Sequence, residues 1–496
     1  MDNAVEVKRE APPPAAVKPA TAAVAREIEI QLYARREEIY PRQKIGDSLG
    51  TFQKWRWAAV WLTQIVFYGL PWLQWNGRQA LLFDLAARKF YIFGMVLWPQ
   101  DIIYLTAILI IAALSLFLFT AVGGRLWCGY ACPQTVYTEI FMWIERHIEG
   151  DRAKRMRLDQ EPLSARKFAL KAAKHGAWIA VALWTGFTFV GYFTPIRAFA
   201  LELVTFTVGG WSLFWILFYG FATYGNAGFM REQVCKYMCP YARFQGAMFD
   251  HDTLIISYDP KRGEPRGSRS RNADKAALGL GDCVDCTLCV QVCPTGIDIR
   301  KGLQNECIGC AACIDVCNGV MDKLGYPRGL IRYATQRGMD AGIDKLPWAR
   351  VLRPRVLIYS AVLLLIGGAF VASLALRSPL RVDVVRDRGA LARIVDDGYV
   401  ENVYRLQVMN TTERTQTYRV GVTGIPGVQA STRGETVLAP AESRWIPVAV
   451  QVGPQEARAL GPGAHKIEFR ITREAAGEQP EVSVDEASTF IVLAPR

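Results

Sequence analysis

Apolar residues in this chain are bunched into runs. Five runs of spanning length, at about 55–73, 102–122, 176–195, 203–224 and 356–376, alternate with polar or charged stretches. The second rises about 31 Å as a helix at ~1.5 Å per residue, enough for a hydrocarbon core of ~30 Å. The pattern predicts a multi-domain membrane protein with five transmembrane helices. Four of them form a membrane domain over residues 54–255, and the fifth stands alone at 356–376. Beyond it the hydrophobic period drops to two. Alternating β-branched stretches at 403–408, 418–422, 445–452 and 466–472, separated by Gly-, Pro- and Asn-bearing turns, predict a β-sandwich within 377–496. Residues 1–53 start with a Pro/Ala-rich stretch that has no signal-peptide apolar core, and read as an N-terminal tail.

Composition supports the membrane reading. The 496 residues are 51% hydrophobic and include 14 Trp, which excludes a disordered or fibrous protein. The formal charge is +12, so nucleic acid must be weighed as a partner. Residues 377–496 hold equal numbers of basic and acidic side chains, so the whole excess flanks the apolar runs. That distribution orients a membrane protein. Without an aromatic-interleaved basic stripe or a known motif, nucleic acid is not expected as a partner. The 144–174 loop carries nine Lys and Arg, against one after the third run. This predicts a cytoplasmic loop, a cytoplasmic N-terminus and 225–355 segment, and a periplasmic C-terminal domain.

All 12 cysteines fall between positions 128 and 317. That argues for metal chemistry in a reducing compartment and against a disulfide framework. Two runs repeat one spacing, Cys283-x2-Cys286-x2-Cys289-x3-Cys293-Pro294 and Cys307-x2-Cys310-x2-Cys313-x3-Cys317-Asn318. Three closely spaced thiolates wrap one cuboidal cluster, while the fourth reaches the neighbouring one. The spacing therefore predicts two [4Fe-4S] clusters in a ferredoxin-like domain over 256–355. One is assigned to Cys283, Cys286, Cys289 and Cys317, the other to Cys307, Cys310, Cys313 and Cys293. Structural zinc takes four thiolates too, but from two knuckles across a longer gap. Asn318 in place of a second proline is the one departure, and it leaves the ligand set intact.

The other four cysteines form an internal repeat. Cys128-Gly-Tyr-Ala-Cys132-Pro133 follows the second run and Cys235-Lys-Tyr-Met-Cys239-Pro240 follows the fourth, 107 residues later. Proline favours the first helical position, so Cys132 and Cys239 are expected as N-caps of helices lying along the membrane edge, where a helix N-terminus lowers a thiol's pKa. Three roles stay open for these thiols. Soft ligands suit Cu(I), a third cluster or zinc would use all four, and a structural or disulfide role needs no metal. His147, His175 and His251 are too scattered for haem and read as satisfied loop residues. No nicotinamide-binding glycine motif or P-loop is present, so electrons come from a donor of unknown identity, either a partner or a quinol.

Together these motifs resemble the cytochrome c oxidase accessory proteins called CcoG, FixG or RdxA, from about residue 35 onward. The resemblance implies a polyferredoxin of the bacterial inner membrane with an immunoglobulin-like C-terminal domain. It also implies a cupric reductase that turns Cu(II) into Cu(I) for assembly of cbb3-type oxidase. Cys128, Cys132, Cys235 and Cys239 match that family's C-x-x-x-C-P cysteines and become the expected copper-handling, catalytic thiols. Copper chaperones, oxidase assembly factors and a second copy of the chain are the expected partners. The different-class alternatives are a non-enzymatic copper-binding assembly factor and a quinol-linked relay to another acceptor.

Overall fold

The computed structural model describes residues 50–493 apart from 271–272, 343–351, 379, 388, 390–391, 432–435 and 476–480. Nearly all of the predicted N-terminal tail lies outside the described residues. Helices stand at each of the five apolar runs: α1 (Thr51–Gly69), α2 (Ile102–Gly123), α4 (Ala165–Val190), α5 (Gly210–Gly225) and α8 (Pro354–Ala375). Between them lie α3 (Pro133–Glu149), α6 (Pro240–Met248) and α7 (Ala312–Leu324).

Among the described residues two helical segments are long and apolar enough to cross a membrane, Pro99–Gly123 at mean hydropathy 2.8 and Pro354–Ala375 at 2.3. The other three differ for local reasons. α1 carries Gln53, Lys54, Arg56 and Gln64. α4 is charged in its first three turns, through Arg166, Lys167, Lys171 and Lys174. α5, at 16 residues, is shorter than the ~20 needed to span. The run expected at 176–195 ends at Val190, where the chain turns through Gly191 to Pro195 and starts a short helix, Ile196–Val204.

The chain divides into two compact units, one drawn from Met1–Val60, Val122–Trp178 and Gly225–Pro347, the other from Trp61–Ala121, Ile179–Tyr224 and Trp348–Arg496. In the first, strands β4 (Ile255–Tyr258) and β5 (Ile331–Ala334) pair antiparallel, Ile256 opposite Tyr333. With α7 they enclose a small core of Ile256, Ile314, Val316, Met321, Leu330 and Ile331 that also takes in Cys283 and Cys289. The start of α1 is capped from far along the chain, because the Asp315 carboxylate accepts from the backbone N–H groups of Phe52 and Gln53. Those donors have no partner inside their own helix.

In the second unit, the stretch between α1 and α2 contains a three-stranded meander, β1 (Leu81–Asp84), β2 (Lys89–Ile92) and β3 (Met95–Leu97), which the apolar-run pattern does not predict. The strands are three or four residues long, too short to show a period. Asp101, buried at the head of α2, is paired with Arg377 at 2.6 Å and Arg381 at 2.8 Å. α4 and α5 approach backbone to backbone at Gly186, where a side chain would strike the Ile216 carbonyl.

The sandwich is built from β6 (Leu380–Arg386), β7 (Val400–Asn410), β8 (Gln416–Thr423), β9 (Gln429–Ser431), β10 (Thr436–Leu438), β11 (Ser443–Val452), β12 (Gly463–Arg473) and β13 (Val482–Val492). One sheet runs β9-β11-β7-β6 and the other β10-β8-β12-β13. With the three-residue edge strand β10 set aside, the other seven strands follow the A-B-E-D against C-F-G layout of an immunoglobulin-like sandwich. The alternation read from the sequence explains its core. Tyr404, Leu406 and Val408 on β7 and Ile467, Phe469 and Ile471 on β12 point inward and are buried, while Arg405, Glu468 and Arg470 point out.

Candidate iron–sulfur and edge-thiol sites

The two cysteine runs repeat in backbone as well as in sequence. In each, the residues on either side of the second cysteine take left-handed conformations, Asp285 (φ 50°) and Thr287 (φ 54°) in the first, Gly309 (φ 71°) and Ala311 (φ 60°) in the second. These reversals curl each run so that its thiols share one centre. A β-branched threonine in this region is strained by roughly 1–3 kcal/mol, so the surrounding loop must hold it there.

Two cavities result. Cys283, Cys286, Cys289 and Cys317 line the first, which holds about 380 Å³ of empty space with Tyr258, Leu330 and Ile331 in its wall. Cys293, Cys307, Cys310 and Cys313 line the second, of about 340 Å³, walled by Ile256, Ile297 and Ile299. Cys289 borders both. Apart from the shared Cys289, which completes the first set, each cavity takes three thiols from one run and one from the other, set in apolar surroundings. Among the described residues no three His, Cys, Asp or Glu side chains gather closely enough to hold a single ion. The donor set, thiol-only and spaced around a cavity with mostly apolar walls, fits two cuboidal [4Fe-4S] groups. Burial pushes the Cys289, Cys307 and Cys317 thiols up to about 12, so cluster assembly must displace protons from them.

The edge thiols lie close together. Cys128 is within electrostatic reach of Cys132 and Cys235, and Cys132 of Cys235 and Cys239. The repeat, 107 residues apart in sequence, converges on one place. Cys132 and Cys239 are the extended N-caps of α3 and α6, each followed by proline. The expected lowering of the thiol pKa does not occur at Cys132. Desolvation raises it, outweighing the backbone N–H groups of Gln134 and Thr135 that pull it down. Burial likewise pushes Cys128 up to about 12 and Cys235 to about 11. The Cys128 thiol donates to the Gln245 side chain at 3.2 Å, and Gln245 is itself buried.

Several residues besides the cysteines shape this place. A Cβ on Gly129 would come within 2.9 Å of the Cys310 backbone, so the first edge motif rests directly on the second cluster loop. Arg125 donates to the carbonyls of Asn305 and Ala242, tying that loop to the start of α6. Tyr333 donates to the Gly309 carbonyl at 2.7 Å, and its hydroxyl lies 3.4 Å from that of Tyr130. Gly129 lies inside the first edge motif and Arg125 three residues before it, but nothing in the sequence marks Tyr333. His147 and His175 lie on α3 and α4 rather than in loops.

A model for a 4Fe-4S dicluster domain matches residues 230–336, one for a 4Fe-4S binding domain matches 105–150, and one for the Ig-like fold at the C-terminus of FixG matches 370–492. The nitrogen fixation protein FixG of Rhizobium meliloti is 38% identical over 452 residues, covering 85% of each chain. The chain belongs to the FixG family. Protein RdxA of Cereibacter sphaeroides is a second relative, 39% identical over 418 residues, 82% of this chain and 87% of the relative. A crystal structure of a FixG-related protein from Vibrio parahaemolyticus aligns at 27% identity and a TM-score of 0.20, over 23% of this chain and 97% of that one. As a FixG-family member with these domains, the chain is a 4Fe-4S electron-transfer protein of the ferredoxin type.

Proposed function

We propose that this FixG-family protein is a membrane-bound oxidoreductase that reduces Cu(II) to Cu(I) at the four edge thiols, for assembly of a cbb3-type oxidase. The observation that carries the reading is the seat of Gly129 on Cys310, which leaves no side chain between the edge motif and the second cluster loop. Cys283, Cys286, Cys289 and Cys317 would hold one cluster and Cys293, Cys307, Cys310 and Cys313 the other. Bound there, the clusters would supply electrons one at a time. The remaining contributions come from the chain. Soft thiolates bind Cu(I) in preference to Cu(II), so Cys128, Cys132, Cys235 and Cys239 favour the one-electron reduced ion and draw the reaction forward. Arg125 and Gln245 position the motif. α2 and α8 cross the inner membrane, with α1, α4 and α5 as the further spans, α5 reaching spanning length with the helical turn Asn226–Met230 that continues it. The 144–174 segment then faces the cytoplasm and the sandwich faces the periplasm, where copper chaperones or assembly factors dock on it.

The test uses anaerobically purified protein reduced with dithionite and freed of excess reductant. On addition of Cu(II), cluster reoxidation should track Cu(I) captured by a chelator. The variant with all four edge cysteines changed to serine should keep its cluster absorbance and lose Cu(I) formation. Copper reduction that survives in this variant overturns the role of the thiols.

A second reading has one observation behind it. The 4Fe-4S binding model that matches residues 105–150 includes Cys128 and Cys132, which favours a third cluster on the four edge thiols. Iron quantification separates the two, since a third cluster adds four iron atoms per chain that the fourfold variant loses.

A further inference from the structure

The first unit contains a cavity that copper reduction does not use. It is partly open to solvent and offers about 1180 Å³ of space between α3, α4 and the π-helical turn Asn226–Met230. Its charges are matched, four carboxylates against four cations. Glu149 lies 3.0 Å from both Lys171 and Lys174, and Glu145 lies 2.7 Å from Arg155 and 2.6 Å from Arg231. A site already balanced in this way has no surplus charge for a nucleotide phosphate or a bare cation. It does offer buried acceptors and donors side by side, which a neutral ring bearing hydroxyls can use.

The cavity also has a place for such a ring. His175 and Phe229 lie nearly parallel, 13° apart with centroids at 6.0 Å, and Trp178 stands edge-on to both. Pro294 in the wall directly follows Cys293, one of the thiols of the second cluster cavity.

We propose that this cavity binds a hydroquinone-type donor and is the point where electrons enter the protein. The inference rests on the cluster assignment above and is independent of copper. Oxidation of one hydroquinone to its quinone breaks two O–H bonds and releases two protons and two electrons. Clusters held by the eight cysteines would take one electron each, and the loop carrying Cys293 borders the cavity through Pro294. The protons pass to the His175 imidazole and the Glu232 carboxylate, both in the cavity wall.

The experiment uses the full-length protein in detergent and has two readouts. Titration with a short-chain ubiquinone should quench tryptophan fluorescence saturably. Anaerobic mixing with the corresponding quinol, without copper, should bleach the cluster absorbance. His175→Gln and Phe229→Leu should each weaken quinone binding at least tenfold, while the amount of bound iron is unchanged because neither residue lines a cluster cavity. Unsaturable quenching in the wild-type protein overturns the proposal, as does equal binding in both variants. Copper reduction from dithionite with no quinone binding means that this inference alone fails. Quinol bleaching without copper reduction means that the inference stands and the copper reading fails.

Discussion

In the sandwich, Tyr404, Leu406, Val408, Phe469 and Phe490 close a core from two sheets, and every member of it is supplied by the chain. In the cluster module, a two-stranded sheet and one helix surround two thiol-walled cavities, and the apolar residues form only a shell around them. The first region resembles a complete globular interior. The second is too small to bury a sufficient core by itself, the condition under which bound metal supplies folding energy. The contrast teaches that the two regions of one chain draw their stability from different sources, and each can be removed without the other.

The largest expected effect comes from removing iron. Chelation under reducing conditions, or Cys310→Ser together with Cys289→Ser, should abolish the cluster absorbance and amide-exchange protection across 255–342. The sandwich should stay protected in the same sample, and its loss there would end the comparison. Next in size is Gly129→Val, which forces a branched side chain into the Cys310 backbone. Copper reduction should slow at least tenfold with the cluster signals shifted, read by stopped-flow absorbance. A rate equal to wild type would remove the contact from the mechanism.

Phe469→Ala sharpens the comparison from the other side. It empties a fully buried site in the sandwich and should cost about 3–5 kcal/mol in denaturant unfolding of that domain, with iron content unchanged. Arg125→Met removes charged hydrogen bonds to carbonyls of the cluster loop and of α6, worth ~1.5–3 kcal/mol each. Its effect should appear in thermal loss of the clusters and leave the sandwich transition alone. The smallest effect concerns pH. In iron-free protein, buried thiols with raised pKa are protonated at neutral pH, so Cys128 and Cys235 should react slowly with iodoacetamide at pH 8. Their rates should climb as pH rises toward about 11 for Cys235 and about 12 for Cys128. Modification at pH 8 as fast as that of free cysteine would show them to be solvated.

Much of this architecture was legible because it is periodic or covalent in spacing. The sandwich strands follow from alternation at 403–408 and 466–472, and the helix starts at Cys132 and Cys239 follow from the prolines behind them. The meander at 81–97 was not legible, since strands of three or four residues show no period. Nor was the thiol chemistry at Cys132. Proline placement predicts a helix terminus and hence a lowered pKa, yet burial, which depends on what packs around the thiol, reverses the sign.

The sequence by itself determined the local terms. These are which segments are apolar enough for helices, where the strands alternate, and which cysteines stand three residues apart in two matching runs. Each depends on near neighbours in the chain, so spacing is sufficient to specify it. Only the tertiary structure decided that two edge motifs 107 residues apart share one place, that Gly129 rests on Cys310, and that Asp315 caps a helix beginning 264 residues earlier. Those contacts join segments distant in sequence, and they are selected by packing and by the need of buried polar groups for partners.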